Sequence, residues 1–196
     1  MIELAKFLLN KGINVVATGG QKRATHSWSH RQNQLTRLED LPAMFEQATG
    51  LATLNSRISG GLMALDFEGS SHGVECVFHG WRQKMETESE PLTEKLIYHS
   101  TGGGGVHICF CCPDAVKSNQ YLAKTSDGKV LIELRGEGGY ALCPPSPGYA
   151  WLVGDWDSLS VITSEELEYL LLSCRQLDQS ASTSTNNPIT ILPHRL

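Results

Sequence analysis

The chain has 196 residues, of which 40% are hydrophobic and 19% charged, with a formal net charge of −5. That length and composition suit one globular domain with a full core, alone or followed by a tail. No apolar run approaches the ~20 residues needed to span a bilayer, and residues 1–12 are too short and too mixed with charge for a signal peptide.

The six cysteines, Cys76, Cys109, Cys111, Cys112, Cys143 and Cys174, show no even, disulfide-like spacing. Most lie in apolar, strand-like runs, the pattern of reduced, buried thiols in a cytoplasmic protein. The net negative charge argues against strong nucleic-acid binding through bulk charge, because neutralising phosphates requires Lys and Arg. The average hides an asymmetry. Residues 4–38 contain Lys6, Lys11, Lys22, Arg23, Arg31 and Arg37 and no acidic residue. This segment reads either as a mildly basic surface or as ordinary solvated charge.

Leu4, Phe7 and Leu8 share one helical stripe over residues 2–10, and Gly12 fits the helix stop. Ile13–Ala17 reads as a short buried strand, and 18–37 as a polar loop holding a lone Trp28. A helix over about 40–48 has Pro42 in its first turn. Strands follow at 51–54 and 61–67, then a helix from Gly73 to about Glu88. Lys95–His99 and Val106–Cys111 read as strands on either side of 101-TGGGG-105. Residues 113–128 read as a polar connection ending in the hairpin signal Asp127-Gly128. Strands at 130–134, 140–143 and 149–153 complete this group. A capping box, Thr163 with Glu166, opens a last helix whose stripe is Leu167, Leu170, Leu171 and Cys174. From about 178 the Ser/Thr/Asn-rich sequence reads as a flexible linker toward a further region. Many short strands mixed with helices imply an α+β or α/β sandwich.

Three blocks carry candidate chemistry. In 60-GGLMALDFEGSS-71, Asp66 and Glu68 fall on one face at the end of an apolar strand, although like charges this close repel. Glu133 lies inside the apolar run 130-VLIELRG-136, where an unpaired carboxylate is expensive. Divalent cations such as Mg²⁺ or Mn²⁺ would relieve the repulsion of three converging carboxylates. The bland alternative is that Asp66 and Glu68 face water and Glu133 pairs with Arg135. In 100-STGGGGVHICF-110, the glycines suit either an anion-binding nest or a flexible hairpin, and His107 is either a phosphate donor or a core histidine. In 132-IELRGEGGYALCPPS-146, glycines again permit tight geometry and Arg135 suits a phosphate or carboxylate. His72, Cys76 and His79 fall on one face of the expected 73–88 helix, but a zinc site needs a fourth ligand and none is evident.

In order along the chain, these blocks closely resemble the primase-polymerase (Prim-Pol) domain of the archaeo-eukaryotic primase superfamily, found in replication proteins of plasmids and phages. The resemblance covers roughly residues 1–155 and includes 22-KRATHSW-28, a lysine-containing loop followed by tryptophan. It implies an α+β catalytic core, with mixed β-sheets and an RRM-like unit flanked by helices, over residues 1–177, and a linker over 178–196. It implies metal binding by Asp66, Glu68 and Glu133. Nucleotide contacts would come from His107, Arg135, Gly104, Gly105 and Lys22, with Arg23 as a further basic loop residue.

The implied activity is two-metal nucleotidyl transfer from dNTPs or NTPs onto a primer 3′-hydroxyl on a single-stranded DNA template. The implied partners are that template and primer and a fused or associated helicase, with no membrane and a monomeric domain. A catalytically weak nucleotide- or nucleic-acid-binding module and a metal-dependent nuclease are the alternatives. The chain departs from the family at two places. Gly103 stands at the usual serine and Val106 at the usual basic residue before His107, so a hydroxyl and a positive charge are missing near the triphosphate.

Overall fold

The structure, a computed structural model, describes residues 1–180. Most of the expected sequence linker, 181–196, therefore lies outside the described residues. Helix α1 (Ile2–Asn10) buries Ala5 and Leu8 and stops at Lys11 before Gly12, whose φ of +76° favours glycine. Strand β1 (Val15–Thr18), helix α2 (Leu41–Phe45, with proline in its first turn) and strand β2 (Gly50–Asn55) follow. Then come β3 (Leu62–Phe67), α3 (Phe78–Glu88), the short α4 (Glu90–Thr93), β4 (Ile97–Ser100) and β5 (Val106–Cys111). The remaining elements are β6 (Gln120–Lys124), β7 (Val130–Arg135), β8 (Gly139–Cys143), β9 (Trp151–Val153) and α5 (Ser164–Arg175). None of the described helices is long and apolar enough to cross a membrane.

The strands form two sheets, one of three in the order β1-β2-β8 and one of six in the order β6-β7-β3-β5-β4-β9. Each pairing between these strands is antiparallel. The fold is thus α+β. Within the larger sheet, β3, α3, β4, β5 and β7 run in the chain order of a split βαβ unit. The second helix on that face comes from α5.

Period-two alternation along β3 divides the core. Met63, Leu65 and Phe67 enter a cluster with Phe78, Trp81 and Met85 of α3 and Leu167, Leu170, Leu171 and Cys174 of α5. Leu62 and Ala64 point the other way, toward α1, α2 and the small sheet. The Trp81 indole N–H donates to the Ser173 hydroxyl at 2.9 Å, tying α3 to α5. The six cysteines are free thiols, five of them buried.

Three expectations need correction. Helix α3 begins at Phe78 rather than Gly73. Residues 70–72 form a 3₁₀ turn closed by Gly73 in the left-handed region, at φ +68°. His72, Cys76 and His79 therefore share no helical face, and among the described residues no metal-holding cluster includes them. Inside the supposed connection 113–128, Gln120–Lys124 is a strand. It is the irregular outer strand of the large sheet, with register shifts around Ala123 and Tyr121 exposed, so it lacks clean alternation. Asp178 and Gln179, expected in the linker, bond to Lys124: its N–H donates to Asp178 Oδ1, and Gln179 N–H donates to its carbonyl.

Candidate active site

Register brings the candidate residues together. Asp66 on β3 sits directly opposite His107 on β5 and directly opposite Glu133 on β7. His107 in turn faces His99 on β4. Direct cross-strand partners share a face, so Glu133, Asp66, His107 and His99 form one transverse row across the sheet. The row lies on the side where Leu62 and Ala64 end the second core, so the apolar face of β3 turns polar at Asp66. Glu68 follows two residues on, and its N–H donates to the Leu131 carbonyl at 2.9 Å, which holds the chain extended beyond β3.

Arg135 ends β7 in the middle of this group. Its Nη2 lies 3.2 Å from Asp66 Oδ2, 3.1 Å from Glu133 Oε2 and 4.0 Å from Glu68 Oε1. His107 Nε2 lies 3.2 Å from Asp66 Oδ1, and His72 Nδ1 lies 2.6 Å from Glu68 Oε2. Burial alone would raise the Asp66 carboxyl, but His107 and Arg135 outweigh it and hold it at about 2. Glu68 is pushed up by burial and by the Asp66 charge. Glu133 is also raised, by burial, against the opposing pull of Arg135. The Arg135 guanidinium is pushed up, because Asp66 and Glu133 more than offset its burial.

Among the described residues no three Asp, Glu, His or Cys side chains already form a metal shell. The carboxylates turn instead toward Arg135, a cation standing close to an oxygen of each. The donor set is one of hard oxygens, which suits Mg²⁺ or Mn²⁺. The Arg135 position marks where positive charge is balanced among the three, so these residues fit the cations that the sequence implies.

The row opens into a cleft of about 360 Å³ between the sheets, lined by Asp66, Glu68, His107 and Arg135, and by Lys22, Trp28, Thr101, Gly138 and Tyr149. Glu133 does not line this cleft, though its neighbours Asp66 and Arg135 do. Lys22 adopts a left-handed backbone, at φ +61°, uncommon for a non-glycine residue. Its carbonyl accepts from the Tyr140 hydroxyl at 3.2 Å, and its ammonium lies 5.8 Å from the centre of the Tyr149 ring. Arg23 does not line the cleft.

Gly104 and Gly105, expected at the nucleotide, do not line it either. A Cβ on Gly105 would fall 2.1 Å from the Phe67 carbonyl oxygen, and one on Gly69 would fall 2.3 Å from Gly104 backbone atoms. These glycines let loops 69–71 and 102–105 pack backbone to backbone.

The two departures before His107 also find their places. A Cβ on Gly103 would lie 2.4 Å from Ser71 Oγ, so a hydroxyl from the neighbouring loop stands where a serine side chain would begin. Val106 packs in the main core, on the face opposite His107. Sequence reasoning missed His72 as the partner of Glu68, Tyr149 as a wall of the cleft, and His99 behind His107. Of these only Tyr149 carried a local signal, as the aromatic residue shortly after Pro144-Pro145.

No match was found among curated proteins. The sequence model of the family described as "Bifunctional DNA primase/polymerase, N-terminal" matches residues 5–166. That match spans both sheets and ends in the first turn of α5, and it contains each residue of the acidic row and its cleft. The chain therefore belongs to the Prim-Pol family and carries a bifunctional DNA primase/polymerase N-terminal domain.

Proposed function

We propose that this domain transfers nucleotides from dNTPs or NTPs onto a primer 3′-hydroxyl paired to a single-stranded DNA template. Asp66, Glu68 and Glu133 are the proposed metal-binding set. Bound Mg²⁺ or Mn²⁺ would supply Lewis acidity for the primer hydroxyl and the departing pyrophosphate.

The protein's own side chains bind and orient. Arg135 and Lys22 bring positive charge to the triphosphate. His107, held on a strand, offers a ring N–H at a fixed position. Trp28 and Tyr149 provide apolar walls against which a base or sugar can rest. A helicase, fused or associated, would supply single-stranded template, and the isolated domain would act as a monomer.

The observation that carries this reading is the transverse row, in which Glu133, Asp66 and His107 are immediate cross-strand neighbours beneath a cleft furnished with Lys22 and Arg135. The test is primer synthesis and extension from labelled nucleotides with Mg²⁺ or Mn²⁺, comparing the parent with Asp66→Asn. The variant is expected to keep its fold and lose incorporation by at least about 100-fold. Synthesis at the parental rate in the variant would overturn the reading, and template degradation without synthesis would replace it with a nuclease.

A further inference from the structure

Asp66 and Glu68 each have one oxygen against an imidazole. His107 Nε2 stands 3.2 Å from Asp66 Oδ1, and His72 Nδ1 stands 2.6 Å from Glu68 Oε2. The other oxygen of each, Asp66 Oδ2 and Glu68 Oε1, faces Arg135 Nη2 at 3.2 and 4.0 Å. Two rings and one guanidinium thus divide four carboxylate oxygens between them. His107 is fixed on β5 inside a motif block. His72 lies outside the motif blocks, yet it lines the same cleft.

A half-exposed histidine beside a carboxylate is ordinarily a surface pair of small worth. This one differs in three ways. The carboxylate is not on the surface, since the Glu68 side chain is only 11% exposed. Among the described residues its oxygens have no partner but His72 and the more distant Arg135. Backbone contacts fix the turn that carries the ring. His72 N–H donates to the Gly69 carbonyl at 2.9 Å, Ser71 N–H to the Gly103 carbonyl at 3.1 Å, and Gly73 N–H to the Ser70 carbonyl at 3.0 Å. The close packing of Gly69 on Gly104 therefore seats His72 beside Glu68. Finally, two bare acceptors repel at 2.6 Å, so a proton lies between them. With Glu68 ionised, as cation binding requires, that proton is on Nδ1. The Ser71 hydroxyl oxygen, farther off at 3.2 Å, can then only accept from the same nitrogen.

We propose that His72 is a positioning residue for the metal site: its ring N–H holds Glu68 Oε2, so that Oε1 stays turned toward the space shared with Asp66 Oδ2 and Glu133. The last torsion of a glutamate is broad, and a ligand that must first be ordered binds a cation less well. Without His72, Glu68 keeps only the long contact to Arg135. This assignment rests on the metal-binding reading above.

The test titrates Mn²⁺ into the protein without nucleotide and follows the loss of the free-ion electron paramagnetic resonance signal, so no turnover is needed. His72→Ala is expected to bind Mn²⁺ about tenfold more weakly, the lower end for losing the support of a metal ligand. His72→Asn, whose amide N–H stands where Nδ1 does, is expected to recover most of that loss. Both are expected to keep the parental circular dichroism in EDTA. Nitrogen-15 spectra of the parent in EDTA are expected to show His72 protonated on Nδ1; a bare Nδ1 would overturn the proposal even if a variant failed to fold. Parental affinity in His72→Ala, with binding lost in Asp66→Asn, would overturn the positioning role and leave the metal set standing. If the parent bound no Mn²⁺, or Asp66→Asn bound it as the parent does, the metal set and this role would fall together. Weak binding in His72→Ala that His72→Asn does not recover, with loss of a nitrogen coupling at the bound Mn²⁺, would make the ring a direct ligand and overturn the positioning role.

Discussion

Arg135 decides the electrostatics of the acidic row. Its guanidinium stands 3.1 and 3.2 Å from Glu133 and Asp66, in a group that otherwise holds three carboxylates. Removing the charge while keeping some length, as in Arg135→Gln, leaves those carboxylates repelling one another. In EDTA the variant is expected to lose roughly 1–3 kcal/mol in urea melts, the lower end being favoured because Arg135 is a third exposed. Added Mn²⁺ should recover more stability in the variant than in the parent, since it restores the missing positive charge; equal recovery would contradict this account.

His99 acts differently. It is fully buried, and burial together with the neighbouring His107 lowers it to about 3. Between the ordinary 6.5 and about 3, the unfolded chain binds a proton that the folded chain refuses. Stability therefore rises with pH across that window and is lost as pH falls through it. His99→Phe, which keeps an aromatic ring against His107 and Trp151, should flatten the dependence of melting temperature on pH. It should not abolish it, because His26 is shifted in the same direction.

At the scale of elements, helix α5 shows where local sequence signals suffice. Its capping box is formed as the Thr163–Glu166 spacing predicts: Glu166 N–H donates to the Thr163 hydroxyl, and Thr163 N–H donates to the Glu166 carboxylate. Its apolar stripe enters the main core with none of Leu167, Leu170 or Cys174 exposed. The family match stops at residue 166, yet these side chains cover one face of the large sheet. Truncation after Glu166 is expected to abolish cooperative thermal unfolding by circular dichroism, whereas truncation after Ser180 should leave the melt near that of the parent. A cooperative melt of the shorter chain would show that α5 is dispensable. Helix α3 and strand β6 mark the opposite case. The left-handed Gly73 delays α3 to Phe78, and the irregular register of β6 erases its alternation. Neither feature has a local signature strong enough to read in advance.

Over the whole molecule, two sheets share one polypeptide turn: β7 ends at Arg135 in the large sheet and β8 begins at Gly139 in the small one. The short link 136–138 keeps the sheets close, and the cleft with its acidic floor opens where they meet. By itself the amino-acid sequence determined the periodic elements, the division into apolar faces, the capping box and the three motif blocks that mark the family. These depend on neighbours within a few residues, because helical and strand periods are local properties. Only the tertiary structure decided that Asp66 lies between Glu133 and His107, that His72 turns to Glu68, and that the glycines of 102–105 serve loop packing. These depend on strand register and loop contacts between segments far apart in the chain, where a shift of one residue would turn every side chain to the other face.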